Sequence, residues 1–271
     1  MTHADPSTAG APESLNHPIR RRVKKFGKWL TRKIARIQSN ASTVPTTPFL
    51  DPTIFPFLKE FEDRWEDIAE ETREVLKFRE TIPAFQEVSP DQYKIATEKN
   101  WRTFILFGFG TQFEKNCAKM PKTAEMLSRV PDIQIAWLSI LAPGYHIPAH
   151  TGVTKGILRS HLGLIIPKDR EQCRIRVDDQ IYAWREGEIC VLDDTYEHEV
   201  WNDTDEERVV LLFDFNRPMR WSGRTLNRVF LYLLKFSAFY RDPMRNIQSF
   251  EERFEAATRR ADETVERLSD D

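Results

Sequence analysis

From Ile133 onward the sequence adopts a two-residue rhythm that leaves few architectures open. Ile133, Ile135, Trp137, Ser139 and Leu141 fall on one side, and short strand-like runs follow at close intervals: Leu162 to Ile166, Cys173 to Val177, Ile181 to Trp184, Glu188 to Leu192, Glu199 to Asn202 and Arg208 to Phe215. A repeat of two is the side-chain period of a strand. The breaks carry turn chemistry, with Asp178-Asp179 suited to one hairpin, Glu186-Gly187 to another and a polar loop at Asn202 to Glu206. Thr103 to Phe109 reads as a further buried strand. Short strands in this number imply a sandwich or jelly roll rather than a parallel sheet. The expected fold is therefore mainly β with flanking helices.

Helical spacing brackets that region. Leu58, Phe61, Trp65, Ile68, Thr72 and Val75 mark one face of a helix that Thr53 can cap and that ends before Pro83. A short helical region interrupted by Pro121 closes at Val130-Pro131, and helices return beyond Pro218, first over Trp221 to Tyr240 and then over Phe250 to Leu268. The chain divides on this reading into a disordered tail (1–18), a basic amphipathic helix (19–38), a linker rich in Ser, Thr, Asn and Pro (39–50), a helix-flanked jelly roll (51–218) and a helical extension (219–271).

Composition removes several classes. With 271 residues, 40% of them hydrophobic, the chain can bury a sizeable core, which excludes wholesale disorder. Its longest apolar stretch, Val229 to Tyr240, is broken by Lys235 and falls short of the roughly 20 residues a membrane-crossing helix needs. No apolar leader precedes the basic block, so a cytoplasmic location is expected. Cys117, Cys173 and Cys190 are odd in number and far apart, and read as buried thiols.

The formal net charge of −2 hides an asymmetry: Ile19 to Gln38 holds nine Lys or Arg and no acid. Within it Ile19, Val23, Phe26, Leu30, Ile34 and Ile37 recur every three or four residues, the pattern of an interfacial helix on an anionic membrane. A solvated helix docked on its own domain has the same pattern, and the acidic remainder argues against nucleic acid as the main partner.

Four of the six histidines, His146, His150, His161 and His198, fall in the β-rich stretch, which points to a site. His150 ends an extended segment and His198 begins a strand, so both are placed to project into a barrel mouth. Paired imidazoles suit iron, copper, nickel or zinc. In the usual non-haem iron arrangement a carboxylate lies two residues after the first His, but here that position is Gly152. Asp193, Asp194, Glu197 and Glu199 are nearby carboxylates; the two Glu flank His198 and should point to the opposite face, and the two Asp read as turn residues or residues behind the ligands.

The string Ala142-Pro-Gly-Tyr-His-Ile-Pro-Ala-His150-Thr-Gly152, with Arg159, His161 and Pro167 following, resembles the aspartyl/asparaginyl β-hydroxylase family. So does Trp184-Arg-Glu-Gly187-Glu, running on through Leu192-Asp-Asp-Thr-Tyr-Glu-His198 to Arg208. The resemblance covers about Ile133 to Pro218 and implies a dioxygenase on a double-stranded β-helix, a cupin-like jelly roll, that uses iron(II), 2-oxoglutarate and O2. It also accommodates Gly152, because family members lack the same carboxylate. By resemblance, His150 and His198 hold the iron, Arg208 pairs with the distal carboxylate of 2-oxoglutarate with Ser139 as its hydroxyl partner, and Arg159 and His161 hold the carboxylate next to the keto group. Arginine suits such roles because its fork of donors matches a carboxylate.

The resemblance fixes the substrate less firmly. Enzymes of this kind in animals act on Asp or Asn in a peptide and carry an arginine two positions before the residue matching Arg159, where this chain has Ile157. Bacterial relatives resemble lipid hydroxylases acting on an acyl chain of lipid A or of ornithine-containing lipids, and the basic helix and the Trp221 to Tyr240 stretch suit a membrane-facing enzyme of that kind. The same stretch also suits a helix that covers the barrel's outer face. Further readings are hydroxylation of a soluble small molecule and a non-catalytic jelly-roll binding module; the joint presence of the metal and keto-acid groups argues against the last.

Overall fold

The computed structural model describes residues 18–89, 95–96, 99–236 and 238–269; side chains are described outside 18–28, 237–242 and 261–269. The expected tail at 1–18 lies, but for Pro18, outside the described residues. So do the side chains of Ile19, Val23 and Phe26, and of Ala261, Val265 and Leu268.

Two antiparallel sheets face each other. The larger has the order β1-β9-β6-β11-β4-β2-β3, built from β1 (Phe49–Leu50), β2 (Trp101–Gly108), β3 (Thr111–Gln112), β4 (Ile133–Leu141), β6 (Ile157–Ile165), β9 (Ile189–Leu192) and β11 (Arg208–Asn216). The smaller has the order β5-β10-β7-β8, from β5 (Tyr145–His150), β7 (Cys173–Val177), β8 (Gln180–Ala183) and β10 (His198–Asn202). This is the expected jelly roll. Asp178 takes a left-handed φ of 57° in the β7–β8 hairpin, as a two-residue turn matched to strand twist requires.

Alternation decides what each face buries. On β11, Val209, Leu211, Phe213 and Phe215 turn outward with Leu158, Leu162 and Leu164 of β6 and Leu138 and Ile140 of β4. They meet Phe61 of α2 (Lys59–Asp63), Ile68 and Val75 of α3 (Trp65–Leu76), Cys117 of α5 (Glu114–Lys119) and Leu127 of α6 (Pro121–Ser128). The inward set, including Leu141, Val210 and Leu192, meets Ile147, Ile175 and Val200 of the small sheet. A third cluster, Val88 of α4 (Phe85–Val88), Ile105, Trp137, Leu212 and Ile247 of α8 (Ala238–Ser269), stands at one end of the barrel.

Several local expectations change. The helix expected from Phe55 to before Pro83 begins as two 3-10 turns, the first capped by Asp51 rather than Thr53: Thr53 N and Oγ1 both donate to Asp51 Oδ1, at 2.9 and 2.7 Å. It then breaks at Arg64, which leaves the helical region (φ −120°, ψ 22°). Beyond that break the Trp65 ring closes on Gly187, where a Cβ would lie 2.8 Å away. The basic helix α1 runs Pro18–Ala41, and residues 39–50 are no free linker. After α1 they bridge Ser42 to Met219, accept a hydrogen bond from Arg217 Nη1 at Pro45 O (3.0 Å) and pair β1 with β9, because their many backbone acceptors find donors on the barrel. In α7 (Trp221–Leu234) the apolar residues do not simply cover the barrel: Val229, Tyr232 and Leu233 are exposed.

Candidate active site

His150 and His198 face each other across adjacent strands. β5 and β10 pair antiparallel with His198 in register with His150, and the ring centroids stand 4.1 Å apart. A bulge brings this about. Ile147 and Val200 are paired inward residues, and strict alternation would send His150, three residues beyond Ile147, outward with His146; the register shift between His198 and Val200 returns it to the inner face. Pro148 sits in the irregular stretch, tolerated because β5 is an edge strand.

Each ring is held by its own strand. Nδ1 of His150 donates to Pro148 O (2.8 Å) and Nδ1 of His198 donates to Tyr196 O (3.0 Å), since a carbonyl can only accept. That selects the tautomer with the lone pair on Nε2, as metal-ligating histidines require. Burial lowers both pKa values, that of His198 to about 3, so both rings are neutral at physiological pH. Among the described residues no group of three or more His, Cys, Asp or Glu is arranged to hold a metal ion.

Asp194 fills the space that a side chain at position 152 would occupy. A Cβ on Gly152 would lie 2.2 Å from Asp194 Oδ1, so the glycine and the buried carboxylate require each other. Gly152 N also donates to Asp194 O (2.7 Å). Burial raises the Asp194 pKa to about 6, with Arg159 opposing. Asp193 is buried between Lys155 and Arg217, which tie it to neighbouring loops.

The expected keto-acid residues occupy two depths. Arg159 lines an apolar cavity of about 440 Å³ together with His150, His198, Asp194 and Asp214. Its Nε and Nη2 donate to Asp214 at 2.8 Å each and Nη2 lies 3.4 Å from Asp194, so Nη1 is the nitrogen these contacts leave over. Burial opposes the Arg159 charge, and Asp214 and Asp194 outweigh it and raise its pKa. Ser139, His161 and Arg208 lie deeper, off the cavity lining. Arg208 Nη1 reaches Ser139 Oγ at 3.4 Å, and its guanidinium stands 4.7 Å over the Trp184 ring. Its Nε and both ring nitrogens of His161 are buried without a hydrogen-bond partner. Burial lowers the Arg208 pKa to about 10, and the ionisable groups that favour its charge are thiols, Cys173 and Cys190, not carboxylates. A buried cation with no anionic partner among the described residues, and three unsatisfied nitrogens, fit a carboxylate-bearing ligand beside the imidazole pair.

Of the four clustered histidines, His146 does not join the site. It stacks on Trp201 (5.2 Å, 4°) and meets Glu199 at 3.2 Å on the outer face of the small sheet. Trp201 is half-buried there, while Glu199 points outward as expected and pairs with Arg176. Asp214 was missed. Its signal was a lone carboxylate in the apolar run Val209 to Phe215, on the inward parity of Arg208 and directly across from Arg159.

A jelly roll with a histidine pair at its mouth and, behind it, a buried arginine that no carboxylate pairs with among the described residues has the outline of an oxygenase. The chain belongs to the aspartyl/asparaginyl β-hydroxylase family, whose sequence profile matches residues 62–218. It is 39% identical over 209 residues to the ornithine lipid ester-linked acyl 2-hydroxylase of Rhizobium tropici, covering 77% of this chain and 74% of that protein. It is 37% identical over 135 residues to human aspartyl/asparaginyl β-hydroxylase, covering 48% of this chain but 17% of the human protein. Among solved structures it is similar to a Pseudomonas putida prolyl-4-hydroxylase (TM-score 0.38, 15% identity, 59% of this chain and 88% of that one). Within the described residues no helix is long and apolar enough to cross a membrane.

Proposed function

We propose that this chain hydroxylates an acyl chain of a membrane lipid, of the ornithine-lipid or lipid A type, at the cytoplasmic face of an anionic membrane. The carrying observation is the cavity itself: it runs from the histidine pair along Trp137, Ile135, Ile157 and Leu212, an apolar wall suited to a hydrocarbon chain. Ile157 is part of that wall, where a cation would meet an acidic peptide side chain. The relationship to the Rhizobium enzyme supports the same substrate class.

In this reading His150 and His198 hold iron(II), and Arg208 with Ser139, backed by His161 and Arg159, receives 2-oxoglutarate. When bound with O2, that pair of cofactors supplies the hydrogen abstraction and the hydroxyl group. The protein's own residues do the rest. The carbonyls of Pro148 and Tyr196 fix the two imidazoles, Asp214 fixes the Arg159 fork, and the apolar wall aligns a C–H bond and keeps water out.

The test is mass spectrometry of total membrane lipids from cells with the intact gene, with the gene deleted, and with His198→Ala in its place. A lipid heavier by one oxygen in the intact strain alone is expected. Identical lipid profiles would refute the lipid substrate and direct attention to peptides and soluble metabolites.

A further inference from the structure

Helix α7 carries apolar residues on both of its faces. Its fully buried positions are Gly223 and Asn227. Asn227 Nδ2 donates to Gly156 O (2.9 Å), and Gln38 Nε2 of α1 donates to Asn227 Oδ1 (2.9 Å). Outside stand Val229, Tyr232, Leu233 and Phe236, between 51% and 62% exposed, and Trp221 at the helix start is 78% exposed. The spacing i, i+3, i+4, i+7 puts the first four on one continuous face. Leu226, Phe230, Leu231 and Leu234 are half-buried on the side toward the body, so the exposed stripe is a second apolar face, where a surface helix normally carries polar residues. Single exposed apolar residues need no explanation, but a contiguous aromatic and aliphatic stripe marks a contact surface.

Charge identifies what that surface meets. Arg224, Arg228 and Lys235 are exposed on or just after α7, and no acid occurs from Arg217 to Arg241. Alongside lies the end of α1, brought close by Gly223: a Cβ there would stand 2.3 Å from that of Ala41. On α1, Trp29, Leu30 and Ile37 are exposed as well, within the helix that carries nine cations and no acid over residues 19–38. A second copy of so cationic a face would repel the first, whereas anionic lipid headgroups complement it and the apolar stripe has the bilayer interface to enter. The same helix also walls the cavity, with Leu231 and Leu234 on one side and Pro243 and Ile247 of α8 on the other.

We propose that the exposed face of α7, flanked by α1, seats on an anionic bilayer and opens the cavity toward it between α7 and α8, so that an acyl chain enters directly from the leaflet. The entry route rests on the acyl-hydroxylase reading; the docking face does not. The full chain is sedimented with vesicles of phosphatidylcholine, with and without a third of phosphatidylglycerol. Wild-type protein should bind the anionic vesicles, and both Leu233→Asp/Phe236→Asp and Arg228→Glu should weaken that binding more than tenfold. Melting temperatures should hold, because these side chains already face water. Equal binding by wild type and the Asp pair would overturn the proposal, as would a wild-type dimer that binds no vesicles and becomes monomeric in the Asp pair. Normal vesicle binding with no lipid oxidised in cells would refute the acyl substrate and leave the docking face intact. Lipid oxidation that persists when the Asp pair binds vesicles normally would do the reverse.

Discussion

Asp214→Leu tests the electrostatic framework of the site. Asp214 is fully buried in β11, and both its oxygens take hydrogen bonds at 2.8 Å from the Arg159 guanidinium on the neighbouring strand. Removing the carboxylate leaves a half-buried cation with Asp194, 3.4 Å away, as its acidic neighbour. Breaking a buried pair by deleting one partner costs about 3–5 kcal/mol. For a chain of this size that lowers the melting temperature by roughly 10 °C. Removing both charges is different in kind. In Asp214→Leu/Arg159→Met the uncompensated cation is gone, and replacing a buried pair by apolar groups of similar volume is often neutral. Asp194, whose pKa is already raised to about 6, can meet the loss of Arg159 by taking up a proton. The double variant should therefore recover most of the stability lost by the single one. Urea unfolding of wild type, both singles and the double closes the cycle. A single-variant loss under about 1 kcal/mol, or additive losses, would refute the view that this pair is a desolvated unit.

His150→Ala and His198→Ala should each abolish turnover and also the binding of redox-inert Mn(II) by calorimetry; retention of full activity in either would sink the ligand assignment. In metal-free protein His198 has its pKa lowered to about 3, mainly by burial. As pH falls from about 6.5 the unfolded chain takes up a proton that the folded one refuses, so stability rises with pH between about 3 and 6.5 and levels off above. His198→Gln should flatten that slope in urea titrations at several pH values. Gly152→Ala places a methyl 2.2 Å from Asp194 Oδ1 and should cost about 1–3 kcal/mol in thermal melts, with no loss expected only if the Asp194 loop swings away freely.

The strand-rich body was legible because alternation is dictated locally: a strand that buries one face must repeat every two residues. His150 shows where that logic fails. Alternation from Ile147 assigns it to the outer face with His146, and what turns it inward is a bulge, a feature of the partner strand as much as of its own. The start of β6 was equally hidden, since Ile157 to His161 mixes Arg and His into the strand, and inside the barrel Arg159 pairs across with Asp214 while His161 lies opposite Leu212. Residues 39–50 read as a linker by composition, yet their backbone acceptors are used by Arg217 and Tyr196 from sequence-distant loops beside β11 and β10. The exposed apolar face of α7 was invisible for a related reason: the sequence reports that the helix is apolar, and packing decides which of its residues stay outside.

The two arginines of the site are not equivalent, and their difference sets which one an incoming dianion feels. Arg159 arrives with its charge balanced by Asp214 and Asp194, so any carboxylate that meets its Nη1 gains geometry and little net attraction. Arg208 is desolvated, its pKa is lowered to about 10, and no carboxylate pairs with it among the described residues. A ligand carboxylate there relieves a burial penalty that the empty barrel already bears. On the proposed function, affinity for 2-oxoglutarate should therefore reside mainly in Arg208, and alignment at the metal mainly in Arg159. Arg208→Ala should raise the concentration of 2-oxoglutarate needed for half-maximal rate with a smaller effect on kcat, whereas Arg159→Lys, which keeps the charge and loses the fork, should lower kcat more than it raises that concentration. The opposite pattern in initial-rate measurements would mean that the balanced arginine, not the unpaired one, captures the dianion.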